Sequence, residues 1–194
     1  MVNEKPSGRV WVSNFSGSHW VESLSQPFRD KVKRYLESMQ DAGINVVITS
    51  KLRPSERAYL MHWSWKLSRN LVKPQHIPYK IGVNIDWVHV NSYGSINLTQ
   101  SIFAAKEMVK AYGMTNLNVA PSLTSRHTEG YAIDMLLTWH GNIEIKDRKG
   151  KPCKITSLPH DGMNKELHII SQSFGVIKYH GGNKDKPHWS IDGY

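Results

Sequence analysis

The sequence predicts an α+β fold built on a mostly antiparallel sheet. Two observations carry this expectation. Apolar residues recur at helical spacing in four stretches, and the strand candidates between them border one another, two pairs of them as hairpins, with long connections elsewhere. At 194 residues, 39% of them hydrophobic, the chain is long enough for one real core and too short for a catalytic domain plus a separate binding domain of ordinary size. The expectation is therefore a single domain over residues 1–194.

Residues 1–24 mix Gly, Ser and Asn with Trp11, Phe15 and Trp20, and read as an irregular segment pinned to the body by its aromatics. Ser25 as N-cap, Pro27 in the first turn, and Phe28, Val32, Tyr35, Leu36 and Met39 predict a helix closed by Gly43. The β-branched run Ile44–Ser50 predicts a buried strand. Pro54 then opens a second helix with Ala58, Leu60, Met61, Trp65 and Leu67 on its inner side, stopped by Lys73-Pro74. Residues 74–81 read as a loop and 83–90 as a strand or extended edge.

Thr99 and Gly113 bracket a third helix carrying Ile102, Phe103, Met108, Val109 and Tyr112. Residues 131–138 (YAIDMLLT) predict a central strand, with Ala132, Asp134 and Leu136 on one face and Ile133, Met135 and Leu137 on the other. The stretch IEIKDRKGKPCKI predicts a hairpin closing at Arg148 to Lys151, its basic turn free to touch an acidic substrate. Asp161 is expected to cap a fourth helix ended by Phe174-Gly175, after which VIKY and HWSI form a C-terminal hairpin that carries His188.

Composition narrows the function classes. The single cysteine, Cys153, rules out a disulfide framework and a Cys-based zinc site, so any metal must be held by His and carboxylate. No apolar run of signal-peptide length opens the chain, and no apolar stretch reaches the roughly 18 residues of a spanning helix. The expectation is a soluble chain without stable membrane insertion. A net charge of +9 implies attraction to a polyanion. The Lys and Arg are scattered, however, with no zinc-finger spacing and no RNP-like aromatic pattern, so nucleic acid is not expected as a partner.

The chemistry concentrates in SRHTEGYAID, residues 125–134. His127 and Asp134 are the residues there that bind divalent metal tightly, and Gly130 and Ala132 leave room for the backbone to fold back between them. A second piece, DKPHW, runs from Asp185 to Trp189. A serine-hydrolase reading of Ser125 with His127 and Asp134 fails on pattern, because no G-x-S-x-G elbow is present.

Together the two pieces resemble the zinc peptidases of the D-Ala-D-Ala carboxypeptidase and L-alanyl-D-glutamate endopeptidase group. The signature of that group is S-x-H-x-x-G-x-A-x-D, followed far downstream by an acid three residues before a His. Ser125, His127, Gly130, Ala132, Asp134, Asp185 and His188 fill every fixed position.

The resemblance implies a Hedgehog/DD-peptidase-like architecture and one Zn2+ per chain, held by His127, Asp134 and His188 with a fourth position open to water. It implies that Asp185 is the general base, and that Arg53, in a setting made by Ser50, Pro54, Arg57 and Ala58, holds the scissile carbonyl or a substrate carboxylate. Ser125 and Trp189 fall on the substrate side. His180 rivals His188 as third ligand or donates to substrate. Glu129 is left solvated, and His140 and His168 are read as ordinary partly exposed residues.

The implied substrate is the stem peptide of peptidoglycan. Asp rather than Glu at position 185 leans toward an endopeptidase acting as a monomer on the cell wall or in the periplasm, after lysis or export without a cleaved signal. Read without the resemblance, Arg53 is a surface arginine, Asp185 an exposed turn residue and Trp189 a core aromatic. A non-catalytic, zinc-stabilised wall-binding module would use the same ligands.

Overall fold

The computed structural model describes residues 5–18, 20–50 and 52–194. In chain order the elements are β1 (Lys5–Pro6), α1 (Phe28–Asp41), β2 (Asn45–Ser50), α2 (Ser55–Ser68), β3 (Ile85–Asp86), α3 (Leu98–Ala111), α4 (Arg126–Glu129), β4 (Ala132–Thr138), β5 (Ile143–Lys146), β6 (Pro152–Ile155), α5 (Lys165–Phe174), β7 (Ile177–Lys178) and β8 (His188–Ser190). The fold is α+β: the four-stranded sheet β2-β4-β8-β7 and the β5-β6 hairpin are antiparallel, and only the two-residue pair β1-β3 is parallel. Among the described residues no helix is long and apolar enough to cross a membrane.

Contacts gather into two compact units. One comprises the N-terminal stretch up to Ser16 with Pro54–Thr124, and the other comprises Gly17–Arg53 with Ser125–Tyr194. In the first, α2 and α3 pack around Leu60, Leu67, Ala105 and Met108, joined by Trp11, Val83, Ile85 and Trp87. Asn97, not Thr99, caps α3, its side chain accepting from the N–H of Gln100. The expected strand over 83–90 shrinks to the two residues of β3, paired with β1, and otherwise makes only the isolated antiparallel bridges Lys80–Val83 and Val90–Ile96 among the described residues.

The second unit has its own core, formed by Phe28, Val32, Tyr35 and Met39 of α1, Leu167, Ile170 and Phe174 of α5, and Ile133, Met135, Leu137 and Trp189 of the sheet. Truncating one of the aromatic members to Ala would cost about 3–5 kcal/mol. Strand β4 is central, as its pattern predicts, with Ile133, Met135 and Leu137 buried and Leu136 on the opposite face 52% exposed. β2 is not the buried strand expected from its β-branched run. It pairs only with β4 among the described residues, its exposure alternates, and Val47 stands 49% exposed.

Three further expectations are corrected in local detail. Ser25 does not cap α1; its Oγ donates to the carbonyl of Glu129 (2.8 Å) and its N–H to that of Gly130 (2.9 Å). Asn164, not Asp161, caps α5, while Asp161 accepts from the N–H of Met163. Of the N-terminal aromatics Trp11 is buried, but Trp20 is 76% exposed and pins nothing. The parts of the residue 1–24 reading that fall on residues 1–4 and on His19 lie outside the described residues, as does Lys51 in the strand-to-helix corner.

Gly130 is a structural linchpin of this unit. It ends α4 at a φ of 76°, and a Cβ there would come within 2.9 Å of the Ser25 main-chain nitrogen. Gly43 has the same handedness (φ 75°) but open space around it. Gly43→Ala is therefore expected to cost only the left-handed penalty of about 1–2 kcal/mol, and Gly130→Ala distinctly more, read as the difference in denaturant midpoint.

Glu166 in the first turn of α5 accepts from the N–H groups of Thr156 and Ser157 and from the Ser157 hydroxyl, at 2.9, 3.1 and 2.8 Å. These bonds, the hydroxyl's first, hold its carboxyl below the ordinary value of 4.5. Because the folded value is the lower one, the stabilisation is present above pH 4.5 and is lost as the pH falls through the folded value. Denaturation followed from pH 5 downward (a range near the ordinary carboxylate values, about 4) is expected to fall less steeply for Glu166→Gln than for the wild type.

Candidate metal centre

Strand register builds the site. In the β4-β8 pairing, Asp134 stands directly opposite His188, while Ile133 opposite Trp189 points into the core. Directly opposed residues share a face of the sheet with their Cβ atoms about 4.5–5.5 Å apart. His127 comes from the single turn of α4, where Gly130 reverses the chain into β4 and the main-chain N–H of Arg53 donates to the His127 carbonyl (3.0 Å). The histidine is thus carried by a short helix. On the other flank, the β2-β4 register shifts between Ile48 and Ser50, and Ser50 pairs with Asp134. Such bulges commonly re-aim side chains beside functional sites.

The three side chains meet. His127 Nε2 lies 3.1 Å from His188 Nδ1, and Asp134 Oδ1 lies 3.2 and 3.3 Å from those two nitrogens. Both histidines are 6% exposed. Asp134 Oδ1 is buried and, despite these short contacts, has no hydrogen bond of acceptable geometry. Burial opposes the charged form of Asp134, yet the two imidazoles outweigh it and hold the carboxyl well below the usual carboxylate range. Burial likewise pushes His188 toward neutrality, but the Asp134 carboxylate and the Tyr194 carbonyl outweigh it and raise the ring's pKa.

These atoms fit a metal ion. A tetrahedral ion with bonds of about 2.0–2.1 Å separates its ligand atoms by about 3.3–3.4 Å, close to the edges of the triangle found here. An orphaned, buried carboxylate oxygen at the apex of two imidazole nitrogens is the donor set a divalent cation satisfies. Among the described residues, this is the one cluster of three or more His, Cys, Asp or Glu side chains so placed.

The surrounding shell was not legible in the sequence. His188 Nε2 lies 3.1 Å from the main-chain oxygen of Tyr194, which as an acceptor fixes the proton there and leaves Nδ1 free to ligate. The turn bearing Tyr194 is held by Ser190 Oγ, which accepts from the N–H groups of Gly193 and Tyr194 (2.8 and 3.0 Å). Arg126 grips Asp192 through Nε at 3.0 Å and through a second guanidinium nitrogen, and pairs with Glu129 at 2.6 Å. Glu129 is therefore ion-paired with Arg126 and not simply solvated. The one available signal was the position of Arg126 beside a ligand histidine.

Of the remaining expected site residues, Asp185 lies at the rim, half exposed, with Oδ2 3.9 Å from His188 Nδ1. Ser125 caps the start of α4 with a buried Oγ that has no hydrogen-bond partner, while Thr128 Oγ accepts from the Ser125 N–H (2.8 Å). His180 lies outside the triad, exposed, its ring bonded to the Asp192 carbonyl (3.1 Å). Of the two readings of Trp189, the structure places it as a core aromatic. It is fully buried, 6.0 Å from the ring of Tyr35 and 5.6 Å from that of His168, because strand alternation turns it away from His188.

No family model matches the chain, and no curated protein sequence matches it.

Metal analysis separates these assignments. The wild-type protein is expected to retain one divalent ion per chain after gel filtration. His127→Ala, Asp134→Ala and His188→Ala should each retain well under half an equivalent (the loss expected when one of about three protein ligands goes). His180→Ala should retain the full equivalent, and a deficit there equal to that of His188→Ala would reinstate His180 as a ligand.

Proposed function

We propose that the protein is a zinc-dependent peptidase of bacterial cell wall, cutting an amide bond in the peptidoglycan stem peptide. The carrying observation is the near-equilateral triangle of His127 Nε2, Asp134 Oδ1 and His188 Nδ1, with the Asp185 carboxylate at its edge. Two histidines and one carboxylate with an open position suit catalytic rather than closed structural zinc. The match of Ser125, His127, Gly130, Ala132, Asp134, Asp185 and His188 to the signature of the D-Ala-D-Ala carboxypeptidase and L-alanyl-D-glutamate endopeptidase group supports the same reading.

Zinc held by His127, Asp134 and His188 would supply Lewis acidity and would lower the pKa of a water to about 7. The chain's own residues do the rest. Asp185, partly solvated and within reach of the ligand face, takes the proton from the attacking water at a carboxylate oxygen and delivers it to the leaving amine. Tyr194 keeps the His188 ring in the tautomer that presents Nδ1. Arg53, tied by its N–H to His127, is assigned to the carbonyl oxygen or carboxylate of the substrate. The net charge of +9 holds the enzyme on an anionic wall. The aspartate at position 185 favours an endopeptidase, and one chain holds the whole constellation, as a monomeric enzyme requires.

The test is digestion of purified muropeptides with and without chelator, read by mass spectrometry. Zinc-loaded protein should release a defined fragment, and chelator should stop it. Asp185→Ala should keep its zinc while its turnover falls about 10²–10⁴-fold. Turnover in the presence of chelator would sink the proposal. Zinc uptake without any cleavage would leave a wall-binding module.

A further inference from the structure

Lys178 is a charged side chain where the core should be apolar. It pairs with Trp189 across β7 and β8, is 6% exposed, and holds its ammonium 5.0 Å from the centroid of the Trp189 ring. Burying an ammonium is costly unless its donors are hydrogen-bonded. Its three donors find three main-chain carbonyls: that of Asp185 at 3.5 Å, that of Lys186, and that of His188 at 3.0 Å. All three belong to one segment, the short 3-10 turn Gly182–Asp185 and its passage into β8. The side chains of that segment include a metal ligand, His188, and the rim carboxylate, Asp185.

A turn of four residues leaves its last carbonyls without partners in the helix itself. Nothing apolar could satisfy them under Trp189. The strand alternation that buries Trp189 sends His188 to the opposite face, so an anchor on the core side of the loop fixes the backbone without entering the metal's surroundings. The neighbouring Lys184 and Lys186 sit on the same segment with their side chains exposed. They contribute charge there but no anchorage.

We infer that Lys178 is a positioning residue for the metal centre, an ammonium hub that sets the distance between the Asp185 carboxylate and the His188 ring by gripping the main chain beneath both. Its importance for turnover rests on the peptidase reading; its anchoring of the 182–188 loop does not. Errors of about 1 Å in such a placement cost about 10²-fold in rate.

The experiment compares Lys178→Met, which keeps the stem over Trp189 but loses the donors, with Lys184→Met, which removes the same charge from the exposed side of the loop. Amide hydrogen exchange on the metal-free protein should be faster across residues 182–188 in Lys178→Met and unchanged in Lys184→Met. Cobalt-loaded Lys178→Met should show a shifted visible absorption spectrum. In the zinc form its kcat should fall at least tenfold while KM stays within about twofold (the signature of a lost transition-state arrangement). Should Lys178→Met fail to fold, Lys178→Gln, with two donors remaining, is read on the same three measurements.

Wild-type exchange, cobalt spectrum and kcat in a folded Lys178 variant would overturn the inference. A wild-type protein that binds cobalt yet cleaves nothing would overturn the peptidase reading instead, with exchange and the cobalt spectrum still deciding the role of Lys178.

Discussion

The pairing of β4 with β8 in the register that sets Asp134 against His188 is the constraint on which the site depends. A sheet has a side-chain period of two, so a slip of one residue by either strand would turn its own ligand toward the core and away from its partner. Register is held from behind: Ile133, Met135 and Leu137 on β4 and Trp189 on β8 are all at most 2% exposed. The hydrophobic core of this unit therefore does more than stabilise it. It fixes, by alternation, which side chains meet on the opposite face.

Around that pair, polar interactions settle orientation. One main-chain oxygen, that of Tyr194, selects the His188 tautomer, and the turn that carries it is clamped by Ser190 and by the Arg126–Asp192 ion pair. Arg126 precedes His127, so one residue ties the helix bearing the first ligand to the turn that orients the third. Exposed ion pairs contribute little to stability. Their value here lies in fixing two short segments that have few apolar contacts of their own.

The core made by α2, α3 and Trp87 is a packed helical pair with a short strand beside it. The unit built on α1, α5 and the sheet carries the His127, Asp134 and His188 cluster, Asp185, Ser125, His180 and the main chain of Arg53. Positive charge is spread through the whole sequence rather than collected in one run.

The sequence by itself determined the elements with strong local signals. Helical periodicity located α1, α2, α3 and α5, alternation identified β4 and its two faces, residue chemistry singled out His127 and Asp134, and the family resemblance added His188. These are short-range properties, written in neighbouring residues. Only the tertiary structure decided that β2 pairs with β4 alone among the described residues, that Trp189 belongs to the core, that His180 stays outside the cluster, and that Lys178 and Tyr194 bond to the segment and ring of His188. Each of these depends on which distant backbone groups come to lie alongside, and a carbonyl oxygen that accepts a critical hydrogen bond is the same in every residue type, so no letter of the sequence marks it.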